Sequence, residues 1–429
     1  MLQFQAGLGL ALFPLLAWVM CAPRERLAPI KALRLVLIGV GLQFFIAGLF
    51  LLIPQLTLVF NLLARAVAAL QAATKEGMVM VFGYLAGGPA PFEVANPQNG
   101  FILATQALPL ILLMSVLSKL LYHFGILQRV VGFFAWCLDK SLGVSGPLGT
   151  ATAANIFVGM VEAPLLVRPY IASMSRGALF ATMTTGMATV AGTVLALYAS
   201  LLQAKVPGAA GHVLVASVMS APAAIIIAKL MVPWSDAPEP AAERAGDEAE
   251  AVAAVPEEAG GGVMNAIAEG TSDGLRLIAY VAAMIVVMVS LIALINMVLG
   301  LVSFEGGFKL TVEAIFGWIA APLAWLAGIP WAEAPAAGEL IGVKTVLNEF
   351  IAFVKLSALP ETALSERSRT ILTYVLCGFA NPGSLGIMVG GLIAMAPERR
   401  SEIIRLGPRS LIAGTLATLM TGAVVGVIS

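Results

Sequence analysis

The sequence predicts an all-α polytopic membrane protein: eight membrane-crossing helices, three interfacial helices and two re-entrant helical hairpins, arranged as an inverted repeat. Three observations carry that expectation. The chain has 429 residues, of which 60% are hydrophobic and only 11% charged, against roughly 25% charged in soluble domains. Its mean hydropathy is +0.96, and runs of about 20 apolar residues, each long enough to cross a bilayer as a helix, recur along it. The apolar background is also broken twice in a similar way, once at Asn155–Pro164 and once at Asn348-Glu349 followed by Gly378–Ser384.

Composition narrows the function classes. Lysine and arginine balance aspartate and glutamate at 24 each, and the largest charge cluster is acidic, which argues against a nucleic-acid partner. Cys21, Cys137 and Cys377 lie in or beside apolar segments without metal-ligand spacing and read as packing residues. The two histidines, His123 and His212, are far apart and support no histidine-based metal site or triad.

Leu2–Met20 is the first span and, lacking a basic leader, reads as a retained helix rather than a cleaved signal. Arg24, Arg26, Lys31 and Arg34 follow, which the positive-inside rule places in the cytoplasm, so the N-terminus is expected outside. Leu35–Ile53 returns outward. Leu56–Ala73 mixes Arg65 and Gln71 with apolar residues and suits a helix lying in the interface. Phe101–Leu121 spans, and Phe124–Leu142, with Arg129, Asp139 and Lys140, is a second interfacial helix.

Thr150–Val167 is interrupted by Gly159 and Pro164, so neither half can span, and a hairpin that returns to its side of entry is expected. Irregular backbone at that depth is tolerated only where it is buried in protein or lines a cavity. Gly177–Leu202 spans with Thr189–Gly192 near its middle, and His212–Val232 spans back. Ser235–Gly262, with its run of acids from Asp236 to Glu258, reads as a flexible cytoplasmic linker. Leu275–Leu299 spans, and Thr311–Leu326 is a third interfacial helix. Gly338–Phe353 is the second interrupted hairpin. Ile371–Ala396 spans with a break at Asn381–Ser384, and Leu411–Ile428 places the C-terminus outside.

The order of interfacial helix, interrupted hairpin, broken span and span therefore occurs twice. Sequence echoes support it: Glu162 precedes Arg168 by the same interval as Glu349 precedes Lys355, and Ser175-Arg176 before Gly186–Thr189 parallels Ser368-Arg369 before Gly378–Asn381. By the charge pattern one hairpin enters from each side, the arrangement from which secondary transporters build a midplane site out of discontinuous helices. Freed carbonyls at such breaks suit a hard cation. Asn155, the Val158 carbonyl, the Thr189 hydroxyl and the Val190 carbonyl would form an oxygen-only set fitted to sodium rather than to a soft metal. Plainer readings stand beside this one. Thr189 can be satisfied by its own preceding turn, Asn381-Pro382 can mark a kink, and Lys344 can snorkel toward the interface. Glu162 and Glu349 are harder to assign to structure, because a carboxylate at membrane depth costs at least about 2.5 kcal/mol on insertion scales.

The motifs Asn155-Ile-Phe-Val-Gly-x-x-Glu-Ala-Pro-Leu-Leu-Val-Arg-Pro-Tyr170, Ala188–Gly192, Val346-Leu-Asn-Glu-Phe350 and Cys377-Gly-Phe-Ala-Asn-x-Gly-Ser-Leu-Gly386 resemble the concentrative nucleoside transporter family, of the bacterial sodium-coupled type. The resemblance runs from about Phe101 to the end, apart from the acidic linker. It implies a homotrimer in the inner membrane, with residues 1–122 as N-terminal scaffold, 123–234 as the first transport repeat, 235–262 as linker, 263–303 as a scaffold span and 304–429 as the second transport repeat. It implies that Asn155, Val158, Thr189 and Val190 bind the coupling sodium, and that Glu349, Asn381 and Ser384 hold the ribose hydroxyls. Val194 and Phe379 would be apolar walls, and Gly159 and Glu162 would sit at the hairpin tip on the base side. The family commonly has Gln followed by Thr or Ser between that glycine and glutamate; this chain has Met160 and Val161, and Pro382 stands where an aromatic residue is commoner. The expected function is nucleoside import by sodium symport with altered base recognition. Alternatives are a proton-coupled symporter using Glu162 or Glu349, an intramembrane hydrolase using that pair, and a non-transporting sensor built on the acidic linker.

Overall fold

The computed structural model describes residues 2–51, 57–93, 100, 102–144, 146–234, 262–301 and 310–429. The described chain is helical, with no β-strand among these residues. Among the described residues, seven helical stretches are long and apolar enough to cross a membrane: Leu2–Val19, Pro29–Phe50, Leu103–His123, Arg176–Leu202, Ala209–Met231, Val263–Leu299 and Pro397–Ile428. The predicted linker Ser235–Gly262 lies outside the described residues except for Gly262.

In chain order the helices are α1 Leu2–Val19, α2 Pro29–Leu51, α3 Thr57–Phe82, α4 Leu103–Gln106, α5 Leu110–His123 and α6 Ile126–Leu142. The first hairpin comprises α7 Gly146–Asn155, α8 Glu162–Leu165 and α9 Arg168–Ile171. The broken span that follows is α10 Arg176–Ala188 and α11 Gly192–Leu202, and α12 Ala209–Met231 completes that half. After α13 Val263–Leu299, the same order recurs: α14 Val312–Leu326, a hairpin of α15 Ala334–Val346 and α16 Glu349–Ala358, a broken span of α17 Glu366–Leu376 and α18 Pro382–Met395, then α19 Arg400–Ile428.

The repeated half starts from repeated capping chemistry. A helix leaves its first N–H groups unpaired, and a Ser, Thr or Asn side chain just before it accepts from one of them. Ser175 does so for α10 and Ser365 for α17. Thr311 does so for α14, Asn348 for α16 and Asn381 for α18. Asn348 and Asn381, two of the polar residues that interrupt the apolar pattern, are therefore helix starts, and Asn381 is a candidate ligand as well.

Several boundaries differ from the sequence reading. α3 runs nine residues past the predicted Ala73, to Phe82. The third span is divided at Ala107–Pro109, where a proline cannot donate to the helix. α13 begins at Val263 rather than Leu275, because its early charges are answered: Lys119 of α5 lies 3.0 Å from Asp273 and 3.6 Å from Glu269. α19 begins at Arg400 rather than Leu411. Its arginines hold carbonyl groups of neighbouring elements instead of forming a loop: Arg409 donates to Met20 O and Met231 O at 3.1 and 3.3 Å. Just before it, Arg399 donates to Ile171 O and Met174 O at 2.9 and 2.6 Å. The Arg409 contacts place guanidinium charge at the C-terminal ends of α1 and α12, where the helix dipole favours it. The predicted seventh span, Ile371–Ala396, is the pair α17 and α18, with a non-helical stretch at Cys377–Asn381 between them.

The core lies around α12, which is buried almost along its whole length, with α10, α19 and α17 packed against it. α13 is the opposite case: almost all of its apolar surface is open in the single chain. It meets α5 at unusually short range. A Cβ on Gly270 would lie 2.6 Å from the Val116 Cα, and one on Gly274 would lie 3.0 Å from the Leu112 Cα. This Gly-x-x-x-Gly spacing lets the backbones approach, as small residues do between membrane helices. Gly270→Val is therefore expected to overpack the α5–α13 contact at a cost of about 1–3 kcal/mol, read as earlier loss of the monodisperse species when detergent-solubilised protein is heated before size exclusion. An unchanged midpoint would contradict the close packing.

Candidate functional site

The first hairpin breaks immediately after Asn155. The backbone turns there, with Phe157 N and Val158 N both donating to Ala154 O at 2.9 Å, and a helix resumes at Glu162. The neighbouring span breaks beside it: Thr189 and Ala191 are extended before α11 starts at Gly192. Gly192 N donates to Phe157 O at 2.8 Å, and a Cβ on Gly192 would fall 2.6 Å from that oxygen. Only glycine allows this approach, so the hairpin tip is joined to the broken span through its backbone. Ser217 of α12 closes the group by donating to Ile156 O at 3.1 Å and more weakly to Val190 O at 3.4 Å.

The four predicted cation ligands lie at these two breaks. Asn155 is 1% exposed; its Nδ2 donates to Ala151 O at 3.1 Å, while its Oδ1 is buried and has no partner. Thr189 Oγ1 donates to Thr185 O at 2.8 Å, so the preceding turn takes its proton and leaves its lone pairs free. A buried acceptor left without a partner costs about 1–3 kcal/mol. The donor set around it is oxygen only, which fits a hard cation.

The second hairpin breaks at Leu347-Asn348. Glu349 is the first residue of α16, where the helix dipole favours a carboxylate. It is 5% exposed and held from both halves of the chain. Tyr198 of α11 donates its hydroxyl to Oε1 at 2.7 Å, and Asn381 Nδ2 donates to Oε2 at 2.8 Å. Asn381, 1% exposed, uses its other atom to accept from Ser384 N at 2.8 Å. One amide thus caps α18 and orients the carboxylate. An ionised carboxylate has about four acceptor positions, so Glu349 keeps capacity for hydroxyl donors.

A cavity of about 220 Å³ joins the two regions. Gly159, Met160, Val161, Glu162, Val194, Glu349, Phe379, Asn381 and Ser384 all line it, as does Val158; Asn155, Thr189 and Val190 do not. The cation set therefore lies outside the cavity wall, apart from Val158. Glu162 is exposed and lines the cavity, which spares its charge the cost of burial at membrane depth. Its carboxylate covers Gly159, where a Cβ would lie 2.1 Å from Oε2. Met160 is 9% exposed and packs over Gly186, where an added Cβ would meet the Met160 Cβ at 3.0 Å; Val161 packs likewise on Gly391.

Some residues of the site were not singled out by sequence. Tyr198 sits in the apolar run Leu195-Ala-Leu-Tyr198 and carries no local signal for its long-range bond to Glu349. Lys119 and Asp273, with Ser115 and Ser118, line the cavity from α5 and α13; charges inside apolar runs were the available signal. Lys344 does not snorkel. It is 1% exposed and donates to Val375 O at 2.7 Å and Thr418 Oγ1 at 2.9 Å, because the broken α17 offers inward-facing carbonyl groups that the bilayer surface cannot replace.

Three family models match this chain: "Na+ dependent nucleoside transporter C-terminus" over residues 212–426, "Nucleoside recognition" over 104–205 and "Na+ dependent nucleoside transporter N-terminus" over 8–85. An uncharacterized transporter of Haemophilus influenzae is 39% identical over 92% of this chain and 91% of its own length. The nucleoside permease NupC of Helicobacter pylori is 34% identical over 97% of this chain and 96% of its own. Among solved structures, CNTnw in an inward-facing substrate-bound state is 35% identical, with a TM-score of 0.85 over 100% of this chain and 98% of that one.

Asn381→Ala removes both the cap of α18 and a donor to a buried carboxylate. It is expected to cost about 2–4 kcal/mol, from roughly 1 for the cap and 1–3 for the carboxylate bond, read as a lowered thermal midpoint in detergent. Tyr198→Phe is expected to cost less, since only one bond to Glu349 is lost; equal midpoints for wild type and Asn381→Ala would contradict this arrangement.

Proposed function

For a chain that belongs to the concentrative nucleoside transporter family, and is thus a multi-pass membrane transporter and not an enzyme, we propose import of nucleosides by sodium symport. The observation that carries the reading is the Glu349 carboxylate, fixed by Tyr198 and Asn381 from the two halves of the chain in a cavity that also takes the first hairpin tip. Two vicinal ribose hydroxyls donate to Glu349, with Asn381 and Ser384 beside it, while Val194 and Phe379 flank sugar and base. Sodium sits at Asn155 Oδ1, the Val158 and Val190 carbonyls and the Thr189 hydroxyl. The unpartnered Asn155 Oδ1 supports sodium over a proton, because a bound cation removes the cost of that orphaned acceptor whereas a proton on Glu162 or Glu349 leaves it in place.

The base faces Gly159–Glu162. Met160 and Val161 offer it apolar contact, so polar reading of the base edge falls to other groups on the cavity wall, among them Ser115, Ser118, Lys119 and Asp273. The resulting preference differs from that of transporters with amide and hydroxyl side chains at the tip. The chain works as a homotrimer in the inner membrane with both termini outside the cytoplasm; the open apolar face of α13 supports an assembly that covers it.

Labelled uridine and adenosine are expected to accumulate in proteoliposomes only under an inward sodium gradient. Replacing a ribonucleoside by its 2′,3′-dideoxy analogue is expected to weaken competition by about 10–100-fold, since hydrogen bonds to a charged group are worth about 1.5–3 kcal/mol. No competition by any ribonucleoside would contradict the substrate class. Uptake that survives complete sodium replacement and collapses with a protonophore would assign coupling to protons. For the tip, Met160→Gln with Val161→Thr is expected to raise ordinary nucleoside affinity by about tenfold, the worth of one added hydrogen bond; no change would detach base selection from that pair.

A further inference from the structure

Both broken spans end on carbonyl groups deep inside the protein. α10 stops at Ala188 and α17 at Leu376, and the C-terminal end of a helix carries roughly half a negative elementary charge. The two ends are neighbours: a Cβ on Gly378, just beyond α17, would lie 2.9 Å from Ala188 O and 2.7 Å from the Thr418 Cγ2. Positive charge is favourable at each end, and among the described residues Lys344 supplies it at one of them.

At α17 the charge comes from Lys344. Its Nζ donates to Val375 O, one residue before the end of the helix, at 2.7 Å, and to Thr418 Oγ1 of α19 at 2.9 Å. The side chain rises from α15, the first arm of the second hairpin, and is almost fully buried. Both partners are neutral oxygens, one a backbone carbonyl and the other a hydroxyl, which is the donor set a hard cation takes. At α10 the corresponding neighbours are also neutral oxygens, contributed by the first hairpin and the break beside it: Asn155 Oδ1, Thr189 Oγ1 and the Val190 carbonyl. There the Asn155 oxygen has no partner. The halves therefore share a hairpin arm, a helix C-terminus and an oxygen-rich gap, and differ in that one gap contains an ammonium.

We propose that Lys344 is a tethered cation, occupying in the second half the role that transported sodium plays in the first, so that one sodium rather than two moves with each nucleoside. This rests on the sodium reading of the Asn155 set. In this arrangement the ammonium compensates the end of α17 throughout the cycle, and only the end of α10 alternates between bound and empty. Lys344 also precedes Glu349 by five residues on the same hairpin, so the positive charge stays with the substrate-binding carboxylate whether or not sodium is present.

The test uses the full chain in proteoliposomes with uridine uptake as readout. Wild type is expected to show hyperbolic sodium activation with a Hill coefficient of about 1 and to move about one net charge per nucleoside, on the linkage reasoning that one site gives one ligand. Lys344→Ala vacates the ammonium position. Its sodium activation is expected to become sigmoidal, with a Hill coefficient approaching about 2, and to require more sodium. Ethylammonium added at low sodium is expected to restore uptake by refilling the gap, and Lys344→Arg to keep the hyperbolic curve. A folded Lys344→Ala protein with an unchanged sodium curve and no response to ethylammonium would overturn the proposal. So would two net charges per nucleoside in the wild type, a measurement that stands even if Lys344→Ala does not fold. Sodium-independent uptake by the wild type would instead remove the sodium reading of the Asn155 set, and the ethylammonium response would still report on the Lys344 position.

Discussion

A helix broken inside a membrane leaves backbone groups that neither lipid nor its own turns can satisfy, and this constraint shapes both hairpins and the broken spans that follow them. The breaks are not scattered. The tip of the first hairpin meets the break between α10 and α11 through the Gly192 N–H and the Phe157 carbonyl. The break between α17 and α18 lies against the end of α10 through Gly378. Asn348 and Asn381 satisfy the N–H groups that open α16 and α18, and Lys344 takes a carbonyl at the close of α17. Among the described residues, buried side-chain atoms without a partner remain at Gln43, Gln128, Thr152, Asn155, Ser220 and Arg369, and of these Asn155 is the one that closes a helix at a break. On the proposed function, a cation partners the Asn155 oxygen and a polyhydroxylated solute takes the acceptor positions that Glu349 keeps open.

Glu349 connects the two halves. Among the described residues it is the one buried carboxylate, and it receives a donor from each half, Tyr198 on α11 and Asn381 before α18. A shift of either half relative to the other therefore changes the environment of the same charge. Such a geometry allows cation binding at the first break to be felt at the solute site, since α10, α11 and the first hairpin tip form a packed unit that carries Tyr198. The base side is built differently. Met160 and Val161 rest against Gly186 and Gly391, so the tip is seated by apolar packing on α10 and α18, and glycine at those positions makes room for it.

Much of the site was legible in the sequence because polar residues are costly in an apolar run. Asn155, Glu349 and Asn381 stood out on that ground, and the nine residues expected around the solute all line one cavity. Thr189 shows the limit of the same logic. It does satisfy its own preceding turn, yet it also lies at a break, so the plain and the functional reading are compatible. Tyr198 could not be found this way, since an aromatic residue in an apolar helix is ordinary and its partner is 151 residues away. Lys344 was misplaced because a lysine stem can usually reach the interface; here a carbonyl freed by the broken α17 held it inside. The early starts of α13 and α19 were missed for a related reason. The charged residues fall outside the predicted spans, but Lys119 and the carbonyl ends of α1 and α12 answer those charges within continuous helices.

If the two breaks form one coupled site, cation and solute must raise each other's affinity by the same factor. Calorimetric titration of the purified protein with a ribonucleoside across a sodium series, paired with sodium titration at fixed nucleoside, measures both factors. Tighter nucleoside binding in sodium than in choline, matched by an equal gain in sodium affinity and lost in Asn155→Ala, is the expected result. Nucleoside binding of equal strength in sodium and choline would contradict the coupling of the two breaks.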